Sequence, residues 1–249
     1  MSENSSRYAE VHARSLRDPE GFWGEAAREI DWIEPAKKVF DPSMGLYGRW
    51  FAGGVVNTCY NALDRHVAGG RANQLALIHD SPLTNSVTKF TYAELLHEVQ
   101  TFAAVLQDFG VVKGDRIILY MPMVPQAMVA MLACARIGAV HSVIFGGFSP
   151  RSIRDRVDDS TCKAIITQDE GRRGGRPVAL KANVDEALSA PGHTVEFCVV
   201  FRHTGAAVNM VAGRDEWWHD VVPGQPATAE PEVMDSEDPL FILYTSGST

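Results

Sequence analysis

Three strings bring together residue types that can hold an anion. LFILYTSGST, residues 240–249, runs an apolar stretch straight into Thr245, Ser246, Gly247, Ser248 and Thr249. In such a turn, successive backbone N–H groups line a concavity, glycine lets the main chain approach an oxygen closely, and the hydroxyls donate without adding a carboxylate. The same composition also fits a plain Ser/Gly turn. DEGRRGGRPVALK places Arg172, Arg173 and Arg176 around Gly174 and Gly175. Guanidinium forks suit phosphate oxygens, although the cluster also reads as a solvated basic loop paired with Asp169 and Glu170. FGGFSP, Phe145 to Pro150, offers two glycines where a ligand or a second backbone can come close. None of the three is a Walker loop or a GxGxxG dinucleotide fingerprint.

The elements needed to position these strings follow from periodicity. RIILY, HSVIF, KAIIT, EFCVVF and LFILY are short, continuously apolar, β-branched runs separated by helical segments or loops. That is βαβ grammar, and strands apolar on both faces belong in a parallel sheet with helices on either side. The expectation is a doubly wound, mainly parallel α/β sheet from about Leu75 onward, with LALIH as its first strand. Each candidate string then follows a strand end, on one rim of the sheet. Thr91 and Glu94 form a capping box at the start of a helix whose apolar stripe runs through Leu95, Val99, Phe102 and Leu106. Ser149 with Pro150 starts another helix. Residues 1–70, rich in Trp, Pro and Gly, read as a segment wrapped over the sheet, with short helical patterns in FWGEAAREI and YNALDRHVAGG. Residues 71–249 form the α/β domain, and Val222 to Pro239 reads as a surface connection.

Composition narrows the partners. With 23 Lys+Arg against 31 Asp+Glu the chain carries a net charge of -8, and its 45% hydrophobic content excludes intrinsic disorder. A nucleic-acid partner would require a basic face that this balance does not provide. The most apolar run, Met121 to Ala135, contains Gln126 and two prolines, so it reads as a core element and not a membrane span. Cys59, Cys134, Cys162 and Cys198 are scattered without CxxC spacing and read as buried thiols of a reducing compartment. No His/Cys grouping has zinc-ligand spacing, so no metal site made by side chains is expected. The N-terminus lacks an apolar secretion core, which makes the cytoplasm the expected address. His141 and Trp50 read as packing residues.

Taken together, the strings resemble a known family. YTSGST looks like the opening of the phosphate-loop motif of AMP-forming adenylating enzymes. RWFAGGVVNTCYNALDRHV, GDRIILYMPMVPQAMVAMLACARIGAVHSVIFGGFSP, DEGRRGGRPVALK and DPLFILYTSGST resemble the short-chain acyl-CoA synthetases of that superfamily, the acetyl- and propionyl-CoA synthetase group. NTCYNALDRHV leans toward the propionyl branch. The resemblance implies the first part of the large N-terminal domain of an adenylate-forming enzyme. Its implied reaction joins a small carboxylate, acetate or propionate, to CoA with ATP and Mg2+, releasing AMP and diphosphate. Thr245, Ser246, Gly247, Ser248 and Thr249 then fall in the ATP phosphate loop. Gly147, Arg173, Gly174, Gly175 and Arg176 fall where the family contacts the nucleotide end of CoA, and Arg172 lies just beside the matched RGGR.

The resemblance also implies what the 249 residues lack: the rest of the phosphate loop, the acyl pocket and a C-terminal domain with a catalytic lysine. The expectation is therefore an N-terminal fragment that is inactive by itself. A non-catalytic protein that binds CoA or a partner subunit through the same surface is the alternative. A generic nucleotide-binding α/β domain would leave the long matches outside the glycine strings unaccounted for.

Overall fold

A computed structural model describes residues 7–245, which form two compact units. One gathers the chain up to Asn57 together with Val233–Asp238, and the other comprises Thr58–Glu232 and resumes at Pro239. In the first unit, helix α1 (Arg7–Arg17) is followed by α2 (Pro19–Ala26), whose N-terminus is capped by the Asp18 carboxylate accepting from the Gly21 N–H at 3.0 Å. Strands β1 (Phe40–Asp41) and β2 (Arg49–Trp50) pair antiparallel. Trp50 packs edge-on to Trp23 and against Phe40, the packing role expected of it. Strand β3 (Val55–Val56) pairs antiparallel with Met234–Asp235, so the connection expected over Val222 to Pro239 contributes a short strand.

The second unit carries the sheet. Strands β4 (Leu75–Ser81) and β5 (Ser86–Thr91) form a two-stranded antiparallel hairpin of their own. This corrects the expectation that LALIH opens the parallel sheet. The physical reason lies in SPLTNS, residues 81–86, which turns the chain directly back on itself with Asn85 at φ 49°, whereas a parallel neighbour requires a long crossover. Helix α3 (Tyr92–Asp108) starts at the expected capping box: the Glu94 carboxylate accepts from Thr91 N at 2.8 Å, and Thr91 Oγ1 accepts from Glu94 N at 3.2 Å.

The parallel sheet starts at β6 (Arg116–Tyr120) and continues through α4 (Pro125–Arg136), β7 (Val140–Ile144), α5 (Pro150–Ser160) and β8 (Ala164–Gln168). A hairpin, β9 (Gly171–Arg173) and β10 (Arg176–Val178), then precedes α6 (Leu180–Ala187), β11 (Phe197–Phe201), β12 (Asp215–Trp217) and α7 (Trp218–Val221). The five parallel strands lie in the order β12-β11-β8-β6-β7. Alternation divides their side chains between two cores. Ile117, Leu119, Ile166 and Val199 join α3 and α4 through Phe102, Leu106, Val129 and Ala133, while Ile118, Tyr120, Ile165 and Cys198 join α5 and α6 through Ile153, Val157, Leu180 and Val184. The sheet is thus doubly wound, as the apolar runs require. Ser149 caps α5 by accepting from the Ser152 N–H at 3.3 Å. All four cysteines are buried free thiols, and burial pushes Cys134, Cys162 and Cys198 up to about 12.

Three further expectations are modified. YNALDRHVAGG winds with π-helical turns over Tyr60–Asp64 and Val67–Arg71, the second holding Gly70 at φ 84°. Its Asp64 carboxylate pairs with the fully buried Arg136 guanidinium at 2.8 Å, which puts the segment in the core of this unit. LFILY does not form a full strand. It runs extended beside β7 with one parallel bridge, His141 to Phe241, and one further bond from Ile242 N to His141 O at 2.9 Å. Phe241 and Leu243 stay more than half exposed, so the apolar cover that stabilises the inner strands is not there. Last, the Arg/Gly string, for which a solvated basic loop is the alternative reading, forms the β9–β10 hairpin, closed by Gly174 and Gly175 at φ 55° and 78°.

His141 supplies a test of this packing. Burial lowers its imidazole to about 4, and its Nδ1 has no partner among the described residues. The unfolded chain takes up a proton near pH 6.5 that the folded chain refuses until about pH 4. The His141 contribution is therefore complete above pH 6.5 and is lost as pH falls through that window. Urea unfolding between pH 7 and 4 should show stability declining on acidification, and His141→Gln should flatten that decline.

Candidate functional site

The carboxyl ends of the parallel strands open into a cavity of about 730 Å3 within the second unit. From β6 the chain steps out to β7 and then returns across β6 to β8, so the rim between them is a topological switch point, where α/β sheets bind ligands. Each wall follows a strand end. Met121 to Val124 continue β6, Phe145 to Phe148 continue β7, and Gln168 with Gly171, Arg172 and Arg173 continue β8. His203 comes from beyond β11, His79 to Leu83 from the β4–β5 hairpin, and Leu243 and Tyr244 from the extended chain before Thr245.

The loops are held by buried polar groups. Tyr120, fully buried at the end of β6, donates its hydroxyl to the Phe148 carbonyl at 2.9 Å, with the Gly146 carbonyl at 3.3 Å. The same oxygen accepts from Asn183 Nδ2 on α6 at 3.0 Å, and burial raises the phenol above its ordinary range. One hydroxyl thereby fixes the FGGF loop to the helix that follows the arginine hairpin. The buried Asp169 carboxylate does the same for the loop after β11, accepting from the N–H groups of His203 at 3.0 Å and Gly205 at 2.8 Å. His203 is pushed down by burial, opposed by Asp169. Gln168 Oε1, buried in this wall, has no partner among the described residues, an acceptor of the kind that binding sites leave open.

FGGF and RRGGR, more than twenty residues apart, converge. The Arg173 guanidinium lies 5.3 Å from the Phe145 ring centroid, in cation–π range. A Cβ on Gly147 would fall 2.6 Å from Arg173 Nη1 and 2.7 Å from Phe145 Cε1, so only glycine fits without moving the arginine. Gly147, Arg172 and Arg173 all line the cavity. Gly174 and Gly175 form the exposed hairpin turn, and Arg176 stands in register with Arg173 across the hairpin, with none of the three on the cavity wall. Thr245 is exposed, and Ser246, Gly247, Ser248 and Thr249 lie outside the described residues. The sequence reading missed Arg156, Gln168, His203 and the Tyr120 hydroxyl. A signal for Arg156 was present: it falls on the buried stripe of α5 with Ile153, Val157 and Ser160 at helical spacing.

No group of three or more His, Cys, Asp or Glu that could hold a metal occurs among the described residues. No helix among them is long and apolar enough to cross a membrane.

Fold and cavity define an α/β protein with a guanidinium-lined, glycine-edged site at the carboxyl rim of a parallel sheet. The chain belongs to the AMP-binding enzyme family, whose model matches residues 46–249, and a model of the acetyl-coenzyme A synthetase N-terminus matches residues 8–62. It is 52% identical over 250 residues to an acetyl-coenzyme A synthetase of Shewanella amazonensis, covering 99% of this chain and 38% of that protein. It is 53% identical over 249 residues to the acetyl-coenzyme A synthetase of Xanthomonas campestris pv. campestris, covering 98% and 38%. The structure of acetoacetyl-CoA synthetase from Streptomyces lividans superposes with a TM-score of 0.85 at 28% identity, over 98% of this chain and 37% of that one. The chain thus spans well under half the length of these relatives.

Tyr120→Phe tests the geometry. Removing the hydroxyl leaves Asn183 and the Phe148 carbonyl unpaired at a cost of about 1–3 kcal/mol. Denaturant unfolding should show that loss, and amide exchange should accelerate over 145–148 more than in the strands.

Proposed function

We propose that this chain is the N-terminal part of an ATP-dependent, AMP-forming short-chain acyl-CoA synthetase acting in the cytoplasm on acetate or propionate. Residues 1–70 serve as its N-terminal segment and 71–249 as part of its adenylate-forming domain. One observation carries the reading. The glycine loop after β7 and the arginine hairpin after β8 open into a single cavity that the residues leading into TSGST also line. A ligand bearing phosphates is what guanidinium groups and close-packed glycine backbone accommodate. The named relatives, acetyl-coenzyme A synthetases, supply the reaction class.

In the first half-reaction a carboxylate oxygen attacks the α-phosphorus of ATP and diphosphate leaves. In the second, the CoA sulfur attacks the acyl carbonyl and AMP leaves. Thr245 to Thr249 would hold the β- and γ-phosphates through backbone and hydroxyl donors, and Mg2+ would supply neutralisation of the charge developing on the phosphates. Gly147, Arg173, Gly174, Gly175 and Arg176 receive the nucleotide end of CoA. Arg173 is the arginine of this set on the cavity wall, its guanidinium beside the Phe145 ring and Gly147. These groups bind and orient, and the rate gained from them is that of position.

Two measurements test the proposal. In the complete gene product, Arg173→Ala should raise the KM for CoA by about tenfold or more, as expected for a charge-assisted contact of about 1.5–3 kcal/mol. Carboxylate-dependent exchange of diphosphate into ATP should stay near wild type, because CoA takes no part in that half-reaction. An equal fall in both would place Arg173 at ATP or in the fold. The 249 residues alone, 38% of the relatives' length, should catalyse neither step.

A further inference from the structure

Arg156 belongs to no motif, yet it is the cavity's most enclosed charge. The residue is 6% exposed and lines the same cavity wall as Arg173. Its guanidinium carbon stands 5.0 Å from the Phe148 ring centroid and 4.8 Å from that of Tyr244, so aromatic rings of the glycine loop and of the chain entering TSGST hold it from two sides. Nη1 donates to the Ser152 carbonyl at 2.8 Å. Among the described residues, Nε and Nη2 have no acceptor and no carboxylate lies within ion-pair distance. The neighbouring Asp159 is engaged elsewhere, accepting from the Tyr244 hydroxyl at 2.5 Å. Nε and Nη2 keep contact with solvent, so this N–H edge is open to a ligand of the cavity that Arg156 lines. The cavity wall itself carries the guanidinium groups of Arg156, Arg172 and Arg173 against the carboxylate of Asp80, with Glu170 4.0 Å from Arg172, so positive charge predominates and the field favours an anion.

We propose that Arg156 is a phosphate-binding residue of this cavity, with its plane set by Phe148 and Tyr244 and its unpaired N–H edge presented to a phosphate oxygen of the bound nucleotide. The assignment rests on the functional reading above and deepens it by adding a site residue on α5. The phosphate can come from CoA or from ATP, and the ligands of the test separate the two.

Binding to the complete gene product should be measured calorimetrically for CoA, dephospho-CoA and Mg-ATP, with wild type, Arg156→Met and Arg156→Lys. Methionine keeps the bulk and the sulfur–aromatic contacts while deleting charge and donors. Arg156→Met should weaken CoA or ATP about ten- to hundredfold, as expected for one lost charge-assisted contact, and Arg156→Lys should weaken it less. The ligand-free unfolding midpoint of Arg156→Met should stay near that of wild type, because methionine keeps the packing against both rings and only the bond to the Ser152 carbonyl is lost. Loss for CoA but not dephospho-CoA would place the residue at the 3′-phosphate, loss for both at the CoA diphosphate, and loss for ATP at the triphosphate. Affinities within twofold of wild type for all three ligands would overturn the assignment. An affinity loss that tracks a lowered midpoint in both variants would overturn it too, making Arg156 a packing residue. Wild-type protein that binds none of the three would remove the functional reading itself, and the assignment with it.

Discussion

RIILY, AIITQ and FCVVF have no polar face, and from that the rest of the second unit follows. A strand apolar on both sides has to be covered on both, so helices must cross above and below, and crossovers of that length make the strands parallel. Ile117, Leu119 and Ile166 face α3 and α4, while Ile118, Tyr120 and Ile165 face α5 and α6. Parallel strands send all their carboxyl ends to one rim. Loops far apart in sequence are thereby delivered to one place, and the step from β7 back across β6 to β8 opens the crevice that they line.

Burial also decides what the loops can do. Tyr120 belongs to the core, yet its hydroxyl emerges at the rim to fix the FGGF loop and α6 together. Asp169 leaves β8 and ties down three backbone N–H groups of residues 203–205. Both act through bonds shielded from water, where leaving a partner unpaired is expensive. Arg172 and Arg173 stand on the exposed hairpin that leaves the end of β8 and line the same cavity as the FGGF loop.

Much of this was legible in the sequence because the signals are local. Continuous apolar runs identified four of the five parallel strands, the 91–94 spacing gave the capping box, and the glycines of FGGF and RRGGR marked where the chain leaves a strand. What escaped depends on contacts between distant residues. LALIH reads as a strand equally well in a hairpin or in a parallel sheet, and only its short return through residues 81–86 decides between them. LFILY has the composition of an inner strand, but it lies at the edge beside β7 with a single bridge. Arg156 sits among Asp155, Asp158 and Asp159 and so looks like part of a solvated helix, although its register with Ile153 and Val157 turns it inward. Gly174, Gly175 and Arg176 match the same string as Arg173 but stand at the hairpin tip and across it, off the cavity wall, a distinction that spacing does not make.

The central claim is that the glycine loop after β7 and the arginine hairpin after β8 form one site for one ligand. Hydrogen–deuterium exchange of the complete gene product with and without CoA addresses it directly. CoA should slow exchange together in Phe145 to Phe148 and in Gly171 to Val178, with both regions saturating at the same ligand concentration. Protection of one without the other, or protection confined to segments off this rim, would contradict it.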